Sequence, residues 1–474
     1  MSGRYSNGET KTRPGIYFRQ ETDSVSALIG ATNGVVAAAF RANWGPLGEV
    51  VTINTPAEIS EIFGDDSGEN SNVSILEKAF IGGASQIKAV RVGNGGTLAS
   101  ITLKDNAATA ADVVTLTAKY AGTRALSVTI KDSLSVTTQR ECIIYSGTKE
   151  LSKVIFAKGT NEVDALVAAI NKSKASVVTA TRLAAGSGVL AAVTQTAFTT
   201  AGVSPATANA DYDAAFALLE ASVWNTLIVD TDDVAVHALV KAFIVRANDA
   251  GLMGIAVLGE PTSVTYDNRR THAAAFNSEN VVYVLNGFKI DDVAYEGWTA
   301  AAVAAGLIAY LPSNDSPTHK AIPGATEVVG ALTNTQVVEA LQSGALVFTM
   351  SASGNVWIEQ GINTLVTLDA NQDAGWKKIR RTKTRFELIT RINQNSEGIV
   401  GSVNNDRNGR ATFLAIANGV INEMIAEGKL SSGSAYEDPS NPAKGDSAWF
   451  IIDVRDLDSI EKVYLTYRFH FSDD

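Results

Sequence analysis

The chain is short of the residues on which many catalytic and cross-linked proteins depend. Its 474 residues include one cysteine, Cys142, and four histidines. A single cysteine excludes an intrachain disulfide and suits a reducing compartment. The four histidines have no metal-ligand spacing along the chain. We therefore predict that the protein uses neither a metal nor any other cofactor.

Excess positive charge and long apolar runs are also missing. The net charge of −11 argues against general binding to nucleic acid or to a membrane surface. No run of about 18 apolar residues is present, as a membrane span would require. The polar first residues lack the apolar core of a signal peptide. We expect a protein that is made and used in the cytoplasm unless another component carries it out.

The distribution of strand and helix patterns predicts several folded units of the α/β and α+β classes. Residues 23–96 read as an N-terminal α/β part of the core. Residues 97–205 contain short runs rich in threonine and β-branched residues, which are typical of an antiparallel β-rich insert. Residues 206–335 alternate apolar strands with helices, which predicts a parallel sheet covered on both faces. Residues 336–455 read as an α+β domain.

Three further expectations concern the C-terminal α+β domain. We predict a strand over residues 362–368, where apolar residues are dense. We also predict a change from strand to helix within residues 379–391. A long helix is expected to end near Gly428.

The last stretch, residues 456–474, is among the most strand-like in the chain. One face of the predicted strand carries Val463, Leu465, Tyr467, Phe469 and Phe471. Residues 450–454 alternate in the same way, so we expect a second strand joined to the first by a turn at residues 456–459. An apolar-faced strand needs a sheet. This one either completes its own domain or forms an arm donated to a neighbouring subunit.

A shorter extended piece near the other end, within residues 1–22, has the features of a second arm. Its start is punctuated by a proline and a glycine. The residues that we assign to this arm are Pro14, Gly15, Ile16, Tyr17 and Phe18.

The usual signatures of enzymes are absent or incomplete. No G-x-G-x-x-G sequence follows a predicted strand, and no Walker A sequence occurs. Asp230 ends a predicted parallel strand, where open α/β sheets place functional groups. The other members of a nucleophilic triad would have to come from His237, His272 and Ser351 or Ser353. No serine lies in a G-x-S-x-G elbow. We predict that the protein is not an enzyme, the alternative being an α/β hydrolase with an accessory β domain.

The strongest charge feature lies at residues 376–391, where seven lysines and arginines accompany a single acid, Glu387. In an acidic chain this cluster predicts an electrostatic surface for a partner, although a solvated face without a partner remains the alternative. An acidic protein fits better than nucleic acid, because interleaved aromatic residues and a basic domain are lacking. The residues that we expect to face the partner are Lys377, Lys378, Arg380, Arg381 and Lys383.

Six segments carry a resemblance to a known family. They are residues 13–17 (RPGIY), 41–46 (RANWGP), 115–124 (TLTAKYAGTR), 319–325 (HKAIPGA), 356–366 (VWIEQGINTLV) and 401–406 (GSVNND). Through them the chain resembles the contractile tail sheath proteins of bacteriophages and of related phage-like particles. The resemblance covers nearly the whole length, and the last three segments are the most specific.

The resemblance implies a fold and a mode of assembly. The central domain would look like a subtilisin-type sheet without catalytic residues, and both arms would add strands to the sheets of neighbouring subunits. The partners would be further copies of the chain in a helical polymer of stacked rings, a tail tube protein, the baseplate and a tail terminator. The subunit would touch neither nucleic acid nor membrane, and residues 377–383 would face the tube.

The resemblance also implies a function. The sheath would be assembled in an extended state in the bacterial cytoplasm, become part of a virion tail or phage-like particle, and contract without hydrolysing a nucleotide. Contraction would drive the tube through a bacterial envelope.

Overall fold

The structure is a computed structural model that describes residues 2–4, 16–18, 33–66, 70–183, 186 and 188–470. Its first part contains β1 (Ser2–Arg4), β2 (Ile16–Phe18), β3 (Val35–Phe40), β4 (Val50–Ile53), α1 (Pro56–Ile62), α2 (Ser74–Gly82) and β5 (Gln86–Arg91). The short strands β1 and β2 pair in parallel with each other. The described helices include none with the length and apolar character needed to cross a bilayer.

A β-rich unit follows β5 and is connected to the rest of the subunit by two adjacent segments. Its elements are β6 (Ser100–Lys104), β7 (Asp112–Ala118), β8 (Ser127–Asp132), β9 (Gln139–Ser146), β10 (Lys149–Ala157), α3 (Glu162–Lys172), β11 (Val178–Arg182) and β12 (Val193–Ala197). The strands form two antiparallel sheets, ordered β10-β9-β8-β12 and β11-β7-β6, which share one apolar core. Bridges such as Asn94↔Ala206 and Thr97↔Val203 hold the entering and leaving segments side by side.

The chain then alternates strands and helices. The elements are α4 (Asn209–Leu219), β13 (Thr226–Val229), α5 (Val234–Asp249), β14 (Ile255–Gly259), α6 (Tyr266–Phe276), β15 (Val281–Val284), β16 (Gly287–Ile290), β17 (Val293–Tyr295), α7 (Trp298–Tyr310), β18 (Ala325–Val329), α8 (Asn334–Gln342) and β19 (Ala345–Leu346). Strands β16, β17 and β18 form a small antiparallel sheet.

A seven-stranded sheet ordered β19-β15-β14-β13-β3-β5-β4 lies at the centre of the subunit. Every neighbouring pair is parallel except β4 with β5. Strands from both sides of the β-rich unit therefore share one sheet. Successive residues of β3 pack into different cores: Val36, Ala38 and Phe40 contribute to one, and residues 35, 37 and 39 to the other. The predicted parallel sheet covered on both faces is confirmed.

Helix α7 is apolar around its whole circumference, and it is accordingly enclosed by the sheet and by α2. It crosses α2 at two glycines, Gly82 and Gly306. A Cβ added at Gly306 would meet the carbonyl oxygen of Ala79, and one added at Gly82 would meet that of Val303. The absence of side chains at these two positions is what allows the two backbones to approach so closely.

The C-terminal part contains a hairpin, two long helices and a two-stranded sheet. Its elements are β20 (Phe348–Met350), β21 (Val356–Ile358), α9 (Ile379–Ser396), α10 (Arg407–Ala426), β22 (Leu430–Glu437) and β23 (Phe450–Asp456), with single 3₁₀ turns at Ala374–Lys377 and Glu397–Ile399. Apolar residues of α9, α10 and β22 form a separate small core, against which β23 packs partly buried side chains.

Three predictions for this part are wrong. Residues 362–368 make one isolated bridge, Ile362↔Lys378, and no strand, because their backbone bonds go mainly to side chains and loops. Residues 379–391 are helical throughout. The chain does not turn back at residues 456–459 to pair β23 with residues 460–470. Strand β23 pairs instead with β22, whose sequence LSSGSAYE has no alternating apolar pattern.

We expect Gly306→Ala to lower the free energy of unfolding by ~1–3 kcal/mol, the usual cost of inserting a group into a close-packed contact. The control is Gly398→Ala, since a Cβ at Gly398 meets nothing within 4 Å. Urea unfolding followed by tryptophan fluorescence measures both variants. Equal stability of the two variants would show that the α2–α7 contact is not tightly packed.

Candidate functional site

Residues 462–470 are exposed and pair with no strand within the described part of the subunit. Val463, Leu465, Tyr467 and Phe469 are 69%, 68%, 72% and 81% exposed. The last backbone hydrogen bond into the body runs from Leu457 N to the carbonyl oxygen of Lys429, 3.2 Å away. Residues 457–470 belong to no strand or helix. The predicted strand is thus unformed in the isolated subunit, and its last member, Phe471, lies outside the described residues.

The N-terminal arm is described only in part. Ile16, Tyr17 and Phe18 make up β2, as the sequence predicted for an extended piece. Pro14 and Gly15 lie outside the described residues.

The basic segment forms the start of α9 and the turn before it. None of its five predicted partner-facing residues is exposed; Arg380 is 6% and Lys383 9% exposed. Cations in the first turn of a helix are disfavoured by the positive end of the helix dipole. Acidic groups close by are therefore expected to offset the cost, and the structure places several there.

Arg381 holds the end of β23. Its Nε and Nη2 donate to the two oxygens of Asp456 at 2.6 and 2.8 Å, and its Nη1 donates to Asp373 at 3.1 Å. The hydrogen bonds to Asp456 raise the pKa of Arg381 above its usual value. Bidentate pairs of this kind are stronger than ordinary hydrogen bonds because both partners are charged and aligned.

Two neighbours of Arg381 hold the first residues after β23. Lys378 Nζ lies 2.7 Å from Oδ2 of Asp458 and also approaches Glu461. Arg380 Nη1 donates to the hydroxyl of Ser459 at 3.2 Å. The basic segment and the root of the C-terminal arm thus form one charged junction.

Lys383 joins α9 to the central sheet. Its ammonium group donates to the carbonyl oxygens of Ile308 and Leu311, at the C-terminal end of α7. A cation at this end of a helix is favourable. Burial nevertheless lowers the pKa of Lys383 to about 7.

One turn further along α9, Glu387 is the acid of a buried network. It accepts from Arg391 and Lys429 at 2.6 Å each and from the hydroxyl of Ser313 at 2.5 Å. Glu427 accepts from Arg391 and Lys429 as well. The contacts tie α9 to the end of α10 and to the loop after α7.

The solvated cationic face, which the sequence left open as the alternative, is therefore wrong for the isolated subunit. The acidic partner that the cluster requires is supplied largely by the same chain. Lys377 is half-buried and donates to the carbonyl oxygen of Val366 at 2.8 Å. That residues of this segment face a tube stays a prediction.

Asp230, the candidate catalytic acid, is fully buried at the carboxyl end of β13. Its Oδ2 accepts from Arg41 Nε at 2.8 Å and from Asn72 at 3.0 Å, and its Oδ1 accepts from Tyr212 at 2.5 Å. These bonds tie four separate segments together. They account for the carboxylate as a structural ion pair.

The other candidate triad residues serve separate local networks. His237 bonds the carbonyl oxygen of Thr231 through Nε2, 3.0 Å away, and burial lowers its pKa. His272 pairs with Glu260. Ser351 bonds Ser353 within the hairpin loop and accepts from the Asn355 amide. Among the described residues, no group of three or more metal-ligating side chains is placed to hold a metal ion.

Comparison with known proteins connects this architecture with contractile tails. Residues 206–364 match the family model described as the phage tail sheath protein central domain. The phage-like element PBSX protein XkdK of Bacillus subtilis strain 168 is 23% identical over 486 aligned positions, which cover 98% of each chain.

Two solved structures have a similar fold. The sheath tail protein from Desulfitobacterium hafniense has a TM-score of 0.67 at 20% identity, with 94% of this chain and 100% of that chain covered. A sheath subunit from an extracellular contractile injection system in its contracted state has a TM-score of 0.56 at 10% identity, with 97% and 98% covered. The resemblance to tail sheath proteins identified from the sequence is confirmed.

We expect the buried Lys383 to make stability depend on pH. Because its pKa is lowered to about 7 in the folded chain and is about 10.4 in an unfolded one, unfolding takes up a proton between these values. Stability should therefore rise with pH across this window, by up to about 1.4 kcal/mol per pH unit from this group.

Urea unfolding from pH 6.5 to 9.5 measures the slope. Lys383→Met should lose the rise, whereas the half-buried Lys377→Met, the control, should keep it. A wild-type slope that Lys383→Met leaves unchanged would mean that Lys383 stays protonated across this range in the folded protein.

Proposed function

We propose that this chain, whose residues 206–364 match the model of the phage tail sheath protein central domain, is a structural subunit that polymerises into a contractile sheath. The sheath surrounds a tail tube and contracts to drive the tube through a bacterial envelope. The work comes from a change of packing between subunits and requires no nucleotide.

The observation that carries the proposal is the C-terminal arm. A strand-like segment with four large apolar side chains at least 68% exposed extends from a subunit whose cores are closed without it. Burying such a side chain is worth ~1.5–3 kcal/mol. The arm can bury these side chains against a neighbouring copy.

The sheet of β22 and β23 is the acceptor that we favour. Within the described residues each strand has only the other as a strand neighbour. The side chain of Asn418 bonds the backbone of Ala435 at the outer edge of β22, so the outer edge of β23 is the one that a further strand can join. An extended segment adds to such an edge through main-chain hydrogen bonds. Residues 462–470 span roughly 30 Å when extended, which is ample for the seven residues of β23.

The domain division forms part of the proposal. It comprises an N-terminal arm (1–22), an N-terminal part of the core (23–96), a β-rich insert (97–205), a central domain (206–335), a C-terminal domain (336–455) and a C-terminal arm (456–474). We also propose that the central sheet is of the subtilisin type and serves as a scaffold without catalysis. The bonds that occupy Asp230 support this reading over an α/β hydrolase.

The proposed partners are further copies of the chain in stacked rings, the tube protein, the baseplate and a tail terminator. The proposed location is the tail of a virion or phage-like particle assembled in the host cytoplasm. Similarity to contracted sheaths of the anti-feeding prophage and of an extracellular contractile injection system supports this kind of assembly. Repeated arm contacts around each ring would give high avidity from modest individual interfaces.

Removing the arm tests the proposal. A chain that ends at Glu461 should stay soluble and melt at nearly the wild-type temperature, because residues 462–470 are all exposed in the subunit. It should fail to form cylinders in negative-stain images. A chain that lacks residues 1–19 should behave in the same way.

Unfolding of the chain that ends at Glu461 would place residues 462–470 in the subunit's own core. Long cylinders from the same chain would show that the arm does not link subunits. Either result would overturn the arm assignment.

A second test concerns the tube. Lys377 is the member of the basic segment whose charge can be reversed with least damage, since its ammonium group contacts a carbonyl oxygen. Lys377→Glu should weaken co-sedimentation of sheath with tube more at low salt than at high salt, because exposed charges are screened beyond about 10 Å at ~0.1 M salt. The control is Lys174→Glu, an exposed lysine of the β-rich insert. Equal binding by both variants at every salt concentration would remove Lys377 from the tube interface.

A further inference from the structure

Glu461 differs in burial from the rest of the arm. Its side chain is 8% exposed, whereas the preceding Ile460 is 87% exposed and every described residue after it is exposed. A buried carboxylate at the start of the free segment requires partners, because burying an unpaired charge is costly.

The partners of Glu461 come from three separate parts of the chain. Thr318 Oγ1 donates to Oε1 at 3.0 Å, and Gln360 Nε2 donates to Oε2 at 3.1 Å. Lys378 Nζ lies 3.3 Å from Oε2, and Ser316 Oγ lies 3.4 Å from Oε1. Both oxygens of the carboxylate are therefore held, one by hydroxyl groups and the other by an amide and an ammonium group.

The backbone around this socket fixes the direction of the threonine hydroxyl. The amide of Gly361 donates to Thr318 Oγ1 at 2.9 Å, so the hydroxyl hydrogen is free to point at Glu461. Gly361 approaches the Pro317–Thr318 bond closely, and a Cβ there would meet the ring of Pro317. The stacking of His319 on Trp357, with ring centroids 4.0 Å apart, holds the two segments of chain together.

The socket lies where two of the family-like segments, residues 319–325 and 356–366, meet. Residues 319–325 pair with residues 356–358 through bonds such as His319 N to Ile358 O at 2.7 Å. Thr318 directly precedes one paired stretch, and Gln360 follows the other by two residues. Both side chains therefore reach the carboxylate of Glu461. The two segments are separated by about 30 residues in the sequence, and together they form a site for one carboxylate.

We infer that Glu461 is the fixed point from which the C-terminal arm extends, and that the donated strand begins at Lys462. The inference rests on the proposed function, in which the arm reaches a neighbouring subunit. Thr318, Gln360 and Lys378 act as positioning residues that determine where the arm leaves the body.

The anchor limits the reach of the arm. If Glu461 were released, Ser459 would still be held by Arg380. Residues 460–461 would join the free segment and lengthen it by roughly 7 Å. A longer tether lowers the effective concentration of the arm at its acceptor. The anchored arm should therefore assemble at lower protein concentration than a released one.

The test compares Glu461→Ala with Asp453→Ala, whose exposed carboxylate on β23 lies outside the socket. Dilute full-length monomer is treated with trypsin, and cleavage after Lys462 is followed by mass spectrometry. Glu461→Ala should be cut at least several-fold faster than Asp453→Ala. Gln360→Ala, which opens the socket from the other side, should also be cut faster, and near-UV circular dichroism should confirm that each variant is folded.

Equal cleavage of Glu461→Ala, Gln360→Ala and Asp453→Ala would overturn the anchor. Assembly is measured separately, as the lowest concentration at which cylinders sediment. That concentration should rise several-fold for Glu461→Ala, and less for Glu461→Gln, which keeps an acceptor oxygen for Thr318. A wild-type protein that never forms cylinders would contradict the sheath function. The cleavage comparison would still test the anchor, because it uses only the monomer.

Discussion

A strand without a sheet is the constraint on which this subunit depends. Residues 462–470 carry large apolar side chains on alternate positions, yet no described strand of the same chain pairs with them. Their backbone groups are unpaired as well, and both features favour addition to another sheet. In the proposed sheath, the fold has to keep this segment away from its own cores while leaving it available to a neighbour.

Ion pairs fix the position of the chain where the arm begins. Arg381 and Lys378 bind the end of β23 and the residues after it, and Lys383 connects the same helix to the end of α7 beneath the central sheet. The root of the arm is therefore connected through α9 to α7, which is buried in the core of the subunit. Isolated surface ion pairs contribute little, but a partly buried network with bidentate geometry can hold a defined position.

The sequence predicted the elements whose apolar residues follow a regular pattern along the chain. Alternating apolar strands and helices over residues 206–335 predicted the parallel sheet, and Asp230 was expected at the end of the strand that the structure shows as β13. The sequence was a poor guide to β22, which is polar and is stabilised by pairing with β23 and packing on α10. The intrachain partners of residues 377–383 could not be predicted from the sequence, because the acids that neutralise them, such as Asp456, lie some 75 positions away and only folding brings them together.

Amide hydrogen exchange of residues 462–470, measured in the monomer and in assembled cylinders, tests the central claim most directly. The account predicts rapid exchange in the monomer, where these amides have no partners, and strong protection in the cylinders, where they join a neighbour's sheet. Protection that is already present in the monomer, or exchange that stays rapid after assembly, would contradict it.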